Sequence, residues 1–322
     1  MLEEIATALR TSRGLAHKTD VALVMGSLAL GIPSRVGAAA VPLGDDCAAI
    51  PDADGWLLFA IEGLLNEFVE KEPWFAGYCG VMVNVSDVYA MGGRPTAVVD
   101  AIWTRGRERA APILQGMTAA SRAYGVPIVG GHTNSRNSQD QLSVAVLGRA
   151  RRLLTSFDAH PGDILVAAID LRGRYREPYP YWDASTSKPG EQLRADLELL
   201  PKLAETGLCA AAKDISMAGV IGTAMMLLES SGVGAAIDVR AVPSPAGVPA
   251  PRWLVSTFPS YGFVLAVPPA SVDAVLKAFA DRGLAAAAIG RCDASRVVRL
   301  ADRGRELDVW DFAETPLIGC HA

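Results

Sequence analysis

The sequence predicts an α/β (α+β) fold in two domains, and three of its features carry that prediction. Short apolar runs of strand length alternate with longer helical segments. Glycine or proline stands just past the ends of several helical segments, where helices stop. Three arginines, Arg149, Arg151 and Arg152, then lead into a turn-forming His160-Pro161-Gly162 near the middle of the chain. The domains are expected at 1–152 and 153–322, two α/β halves of similar size.

In the first half, 56–61 is an apolar run of strand length. Residues 77–91 are apolar with few charges, long enough for a buried helix that ends at Gly92-Gly93 with Pro95 beyond. A strand at 97–103 and a helix at 108–124 follow, with Pro112 in the helix's early turns and Gly125 after it. Residues 126–129 form another short apolar run, broken at once by Gly130-Gly131, and 141–148 alternates with the strand period. The second half opens with a strand at 163–169 and breaks into an aromatic, arginine-rich stretch at 171–183. Helices at 191–206 and 217–230 and a strand at 234–239 come next. Four prolines then make 242–251 a loop.

Composition narrows the function. At 322 residues the chain is long enough for two cores, and 50% hydrophobic with 20% charged residues is the make-up of a soluble enzyme. The net charge is -5 with no run of five or six like charges, so nucleic acid is not an expected partner. Five cysteines lie far apart with no C-x-x-C pair, which argues for reduced thiols and against a zinc site. The N-terminus has Glu3 and Glu4 and no apolar core, unlike a secretory signal, and no apolar stretch reaches the roughly 18 residues of a membrane helix. A cytoplasmic protein with no membrane partner is expected.

Four places combine acids with glycine or amide groups. Gly44-Asp45-Asp46-Cys47-Ala48 sits between Pro42 and Pro51, a tight turn whose two carboxylates suit a hard divalent cation, or equally a solvated turn. Asn84 and Asp87 share one face of the 77–91 helix, where a carboxylate is unusual unless paired, metal-bound or capping a neighbouring helix. Gly130-Gly131-His132-Thr133-Asn134 offers backbone N–H groups and a hydroxyl to phosphate oxygens, although such glycines are common and His132 fits an ordinary loop as well. Asp214, in Lys213-Asp214-Ile215-Ser216, lies where either a helix cap or a metal ligand could stand.

The order of these four carries a resemblance. The run Asn84-Val85-Ser86-Asp87-Val88-Tyr89-Ala90-Met91-Gly92-Gly93-Arg94-Pro95 resembles the signature helix and turn of selenophosphate synthetase and thiamine-monophosphate kinase. Gly44-Asp45-Asp46 resembles the glycine-aspartate turn before that helix, and Gly130-Gly131-His132-Thr133 the glycine-glycine loop after it. Asp214, Ser231-Gly232-Val233-Gly234 and Ile237-Asp238 are similar to the second-domain helix and strand. From about Lys18 onward, the chain is thus identified as a member of the AIR synthase-related (PurM-like) superfamily, with aminoimidazole ribonucleotide synthetase among its relatives.

That resemblance implies an N-terminal α/β domain that dimerises through its sheet, a C-terminal α/β domain, and ATP held with magnesium. Carried onto matching positions, it implies Asp46, Asp87 and Asp214 as metal ligands with Asp45 in support, and Gly130, Gly131, His132, Thr133, Asn84 and Lys18 around the nucleotide. Relatives have Asp in the strand after the first turn where this chain has Glu62, which can still ligate magnesium from one methylene further out. No cysteine stands in 13–18, against selenide chemistry, and the run after Asp214 departs from the kinase and from the purine synthetase. A separate branch with its own small-molecule substrate is implied.

Substrate choice is expected to fall on the stretch 172–183. There Arg172, Arg174, Tyr175 and Trp182 could clamp an anionic or planar molecule, or the aromatic side chains could pack on the domain surface. Three functions are open: ATP-dependent phosphorylation of an amide or carbonyl oxygen, as in a cyclo-ligase; a small-molecule kinase; and a nucleotide-binding, non-catalytic partner subunit. The three matching aspartates speak against the last. No Ser-His-Asp or Cys-His arrangement is evident, so no catalytic residue is assigned.

Overall fold

The computed structural model describes residues 1–29 and 41–320. In chain order the elements are α1 (Leu2–Arg10), α2 (Arg13–Ala29), β1 (Ala48–Asp52), β2 (Gly55–Gly63), α3 (Asn66–Lys71), α4 (Pro73–Ala90), β3 (Arg94–Arg105), α5 (Arg107–Tyr124), β4 (Ile128–Asn134) and β5 (Arg136–Ala150). They continue as β6 (Ile164–Ile169), β7 (Arg174–Tyr175), β8 (Trp182–Asp183), α6 (Gly190–Leu197), α7 (Leu199–Thr206), β9 (Ala211–Asp214) and α8 (Gly219–Ser230). The last are β10 (Gly234–Asp238), β11 (Gly262–Val267), α9 (Val272–Ala280), β12 (Ala285–Asp293), β13 (Val297–Asp302) and β14 (Arg305–Asp311).

These elements form two compact units, each around its own sheet. One comprises 46–153 and 187–202, the other the described residues of 1–45, 154–186 and 203–322. Both are mixed α/β, as the sequence predicts. The chain nonetheless changes unit after residues 45, 153, 186 and 202, so the units are not two contiguous halves.

The five-stranded unit has strand order β1-β2-β5-β3-β4. Leu58, Val98, Leu142, Val144 and Val146 are buried on the face that α4 and α5 cover. Proline at the first position of α4 starts the helix without losing an internal hydrogen bond. Gly92, at φ +74°, stops it: the N–H groups of Gly92 and Gly93 donate to Tyr89 O and Val88 O. Helices α4 and α5 approach closely because a Cβ at Gly77 would strike Ile113 O and one at Gly116 would strike Trp74 O. On the opposite sheet face, Phe59 pairs with Leu147, while Ile61 and Val99 flank Ala145; Phe59, Ile61, Val99 and Leu147 are all exposed.

Two sequence expectations fail here for identifiable reasons. Gly130-Gly131 does not break the apolar run into a turn, because β4 continues through it as an edge strand. Parallel pairing with β3 sets Gly130 against Val99, Gly131 against Asp100 and Thr133 against Ile102, which gives this backbone partners a turn would lack. The helix expected over 191–206 is two helices, α6 and α7. Pro201, in the first turn of α7, cannot donate to the carbonyl four residues back, so the preceding helix ends.

The other unit is a seven-stranded sheet of order β14-β13-β10-β12-β6-β11-β9. Every residue of α8 is buried, consistent with a helix apolar on all sides apart from Glu229 and a few hydroxyls. Strands β7 and β8 form a separate small hairpin. Among the described residues, no helix is long and apolar enough to cross a membrane.

Candidate functional site

The Gly44-Asp45-Asp46 turn separates its two acids. Asp45 is anchored: Ser156 donates its N–H at 2.8 Å to one carboxylate oxygen and its hydroxyl at 2.6 Å to the other. The next residue but one is anchored too, since Cys47 N–H donates to Met91 Sδ at 3.0 Å. Asp46 lies between these fixed points, and its carboxylate comes within 4.8 Å of that of Asp87. The implied supporting role of Asp45 on a metal therefore meets a side chain already engaged with Ser156.

Asp87 is 6% exposed on α4, one turn after Asn84, which is fully buried. Two ionised carboxylates at this separation repel by about 3 to 4 kcal/mol at an effective dielectric near 20. A divalent cation would offset that repulsion, and an all-oxygen donor set suits magnesium. Asn84 adds to this. Its amide nitrogen donates to Gly80 O at 2.8 Å, while its Oδ1 is buried with no hydrogen-bond partner among the described residues. An unmet acceptor beside two carboxylates fits the binding of a hydrated cation. Glu62 is exposed near the end of β2.

Asp214 ends β9 in the other unit, is 3% exposed, and accepts from Ser260 Oγ at 3.2 Å. It does not cap α8, whose N-cap position is Ala218 and which has no side-chain cap. Lys18 is half-buried on α2. Gly130, Gly131, His132 and Thr133 are exposed along β4, and the His132 ring stands 6.0 Å from that of Trp103. A Cβ at Gly131 would strike the carboxylate of Asp100, whose pKa is raised by burial. Sequence reading missed Asp100, Ser156 and Ser260, because nothing in their local patterns marks what they touch.

The aromatic hairpin is mostly consumed by its own packing. Arg172 makes a two-pronged pair with Asp170 at 2.9 and 3.0 Å, and Arg176 reaches the buried Asp183 at 3.1 Å. Trp182 is 5% exposed, donates its ring N–H to Asp170 O, and packs edge-on against Trp253 and Tyr175. The Tyr175 hydroxyl meets Thr257 Oγ1 at 2.6 Å, and the Arg252 guanidinium lies 3.8 Å from the centre of its ring. Arg174 is exposed and, among the described residues, has no acidic partner.

Against this geometry, family patterns match along the chain. The pattern described as AIR synthase related protein, N-terminal domain, covers 44–150. Its C-terminal counterpart covers 181–303. The chain belongs to the AIR synthase related family. A Synechocystis sp. protein is 47% identical over 321 residues, 99% of this chain and 98% of that protein. The thiamine-monophosphate kinase of Pyrococcus horikoshii is 32% identical over 137 residues, 40% of this chain and 43% of the kinase. Among solved structures, Thermotoga maritima PurL complexed with ADP has a TM-score of 0.72 at 21% identity, covering 88% of this chain and 47% of PurL. This family member thus shares its fold with PurL while spanning about half of PurL's length.

Proposed function

We propose that this AIR synthase related protein uses ATP and magnesium to phosphorylate an amide or carbonyl oxygen of a small substrate. The observation that carries the reading is the close Asp46–Asp87 pair on the family's signature turn and helix. In this reading Asn84 orients a metal-bound water or a phosphate oxygen, the exposed backbone around Gly130 and Gly131 faces the phosphates, and Asp214 is assigned to the metal by resemblance alone. Lys18, His132 and Thr133 are assigned to the nucleotide by resemblance alone. Magnesium bound there would offset the charge of the phosphates and of the transferring phosphoryl group. The substrate oxygen attacks the γ-phosphorus and ADP leaves. A nitrogen nucleophile then displaces the new phosphate ester and releases inorganic phosphate.

The match to a thiamine-monophosphate kinase supports a second reading, in which the phosphate stays on the product. Product analysis separates the two: free phosphate with a new C–N bond supports the first, a phosphorylated small molecule the second. ADP formation with neither product would remove both.

We also propose a homodimer paired through the exposed sheet face that carries Phe59, Ile61, Val99 and Leu147, since a contiguous apolar patch on a soluble protein marks a contact surface. Light scattering should give twice the chain mass at micromolar concentration, and Phe59→Arg should shift it toward one chain. A parent of single-chain mass at every concentration would end this idea. Within the hairpin, substrate selection is assigned to Arg174, whose guanidinium is not taken up by a neighbouring acid.

A further inference from the structure

The end of helix α8 gathers polar groups that nothing above uses. Glu229, 4% exposed, accepts backbone N–H groups from Leu317 at 2.7 Å, Ile318 at 2.7 Å and Gly319 at 3.3 Å. A negative charge in the last turn of a helix opposes the helix dipole, so this acid is held by the chain segment that it grips. That segment leads to Cys320, which is buried against the metal-site turn: a Cβ at Gly44 would collide with Cys320 Sγ. The Cys320 thiol is pushed up first by burial, then by the charge of Glu229, with Lys213 and Asp45 also acting on it. Two residues on, Ser231 Oγ donates to Ser156 O at 2.8 Å and accepts from Ala159 N–H at 3.0 Å. Ser156 is the residue that holds both oxygens of Asp45.

Two routes therefore run from the end of α8 to one turn. Glu229 reaches Gly44 through the C-terminal tail, and Ser231 reaches Asp45 through Ser156. We propose that Glu229, Ser231 and Ser156 are positioning residues that fix the Gly44–Asp45 backbone so that Asp46 meets a divalent cation without reorganising. Slack in the turn would let Asp46 turn away from the cation and lower its affinity. The proposal rests on reading Asp46 as a metal ligand.

The test uses the full chain with Mn²⁺ as probe, titrated calorimetrically without nucleotide, and deuterium exchange at 44–48 and 317–320. Glu229→Gln keeps the shape but loses charge and one acceptor, so exchange should rise in both segments and Mn²⁺ affinity should fall about tenfold. If that variant does not fold, Ser156→Ala serves: affinity falls similarly, and Ser156→Thr, which keeps the hydroxyl, restores it. A purely structural role would lower melting temperature and leave Mn²⁺ affinity unchanged, and that result overturns the proposal. A parent that binds no Mn²⁺ removes the metal reading and this proposal with it. A parent that binds, with variants binding equally, removes only the positioning role.

Discussion

Helices α4 and α8 invite comparison: each is apolar and buried along most of its length, and each carries one acidic side chain near its C-terminal end. At that end the helix dipole disfavours negative charge, so each acid needs compensation from elsewhere. Glu229 on α8 receives three backbone N–H groups from the C-terminal segment. Asp87 on α4 instead faces another carboxylate, Asp46, which worsens its electrostatics. An acid surrounded by donors is part of the scaffold, whereas an acid aimed at an acid leaves room for a cation. Asp183 on the hairpin is of the first kind, with Thr186, Ser185 and Arg176 donating to it.

The largest expected effect tests the acid that faces another acid. Asp87→Asn should weaken magnesium-dependent binding of an ATP analogue by about a hundredfold or more, roughly 2.7 kcal/mol, measured by calorimetric titration. Without metal, the same variant is expected to melt about 2 to 4 °C higher, because a like-charge contact is gone. Equal affinity in variant and parent, or a variant that melts lower, would break the comparison.

A second prediction sets the neighbours Asp45 and Asp46 against each other. Asp46→Asn should behave like Asp87→Asn. Asp45→Asn should lower cation affinity by only about tenfold, as a supporting partner does, while costing about 1 to 3 kcal/mol of stability in denaturant unfolding. If the two exchange roles, Asp45 is the ligand and the Ser156 contact is not what fixes it.

The scaffold kind of acid has its own signature in pH. Burial alone would raise the Asp183 pKa, but hydrogen bonds from Thr186, Ser185 and Arg176 outweigh it and hold the carboxyl below its ordinary value. Stabilisation from a depressed carboxylate is present above its ordinary pKa near 4 and is lost as pH falls through the folded value. Asp183→Asn should therefore cost about 2 kcal/mol at pH 7, with the gap to the parent closing as pH falls below the ordinary carboxylate range. A gap that stays constant with pH would show that the charge is not what matters there. Smallest of all, Arg174→Ala should change stability by no more than about 0.5 kcal/mol and ATP affinity by less than a few-fold, while substrate turnover falls. A collapse of ATP affinity would move Arg174 into the nucleotide site.

What the sequence discloses and what it hides follows from range. Helices α4 and α5 are legible because their stop signals, Gly92-Gly93 and Gly125, lie next to the apolar runs they end. That the carboxylates of Asp46 and Asp87 come close is legible because each sits in a short, recognisable motif. Gly130-Gly131 misleads because its neighbours suggest a turn, whereas its conformation is decided by β3, about thirty residues earlier in the chain. The contact that holds Asp45 is hidden for the same reason, since its partner Ser156 lies at a sequence separation of 111. For the stretch 172–183 composition leaves a clamp and surface packing both open; in the structure Arg172 and Arg176 pair with Asp170 and Asp183, close by in the chain.

The interleaved chain path has a consequence for the newborn protein. The five-stranded unit needs residues 187–202, where Arg94 pairs with Glu198 at 2.6 Å and Arg194 donates to Ala123 O at 2.6 Å. A ribosome that has just released residue 153 must therefore add 49 more (202 − 153) before that unit can close. At about 5 to 20 residues per second, this is a wait of roughly 2 to 10 seconds. During it α5 and Arg94 stand without their last cover, and β6, the first strand of the other sheet, is already made. The order of synthesis thus holds the five-stranded unit open until residue 202, and the other unit, which still needs 203–322, closes later.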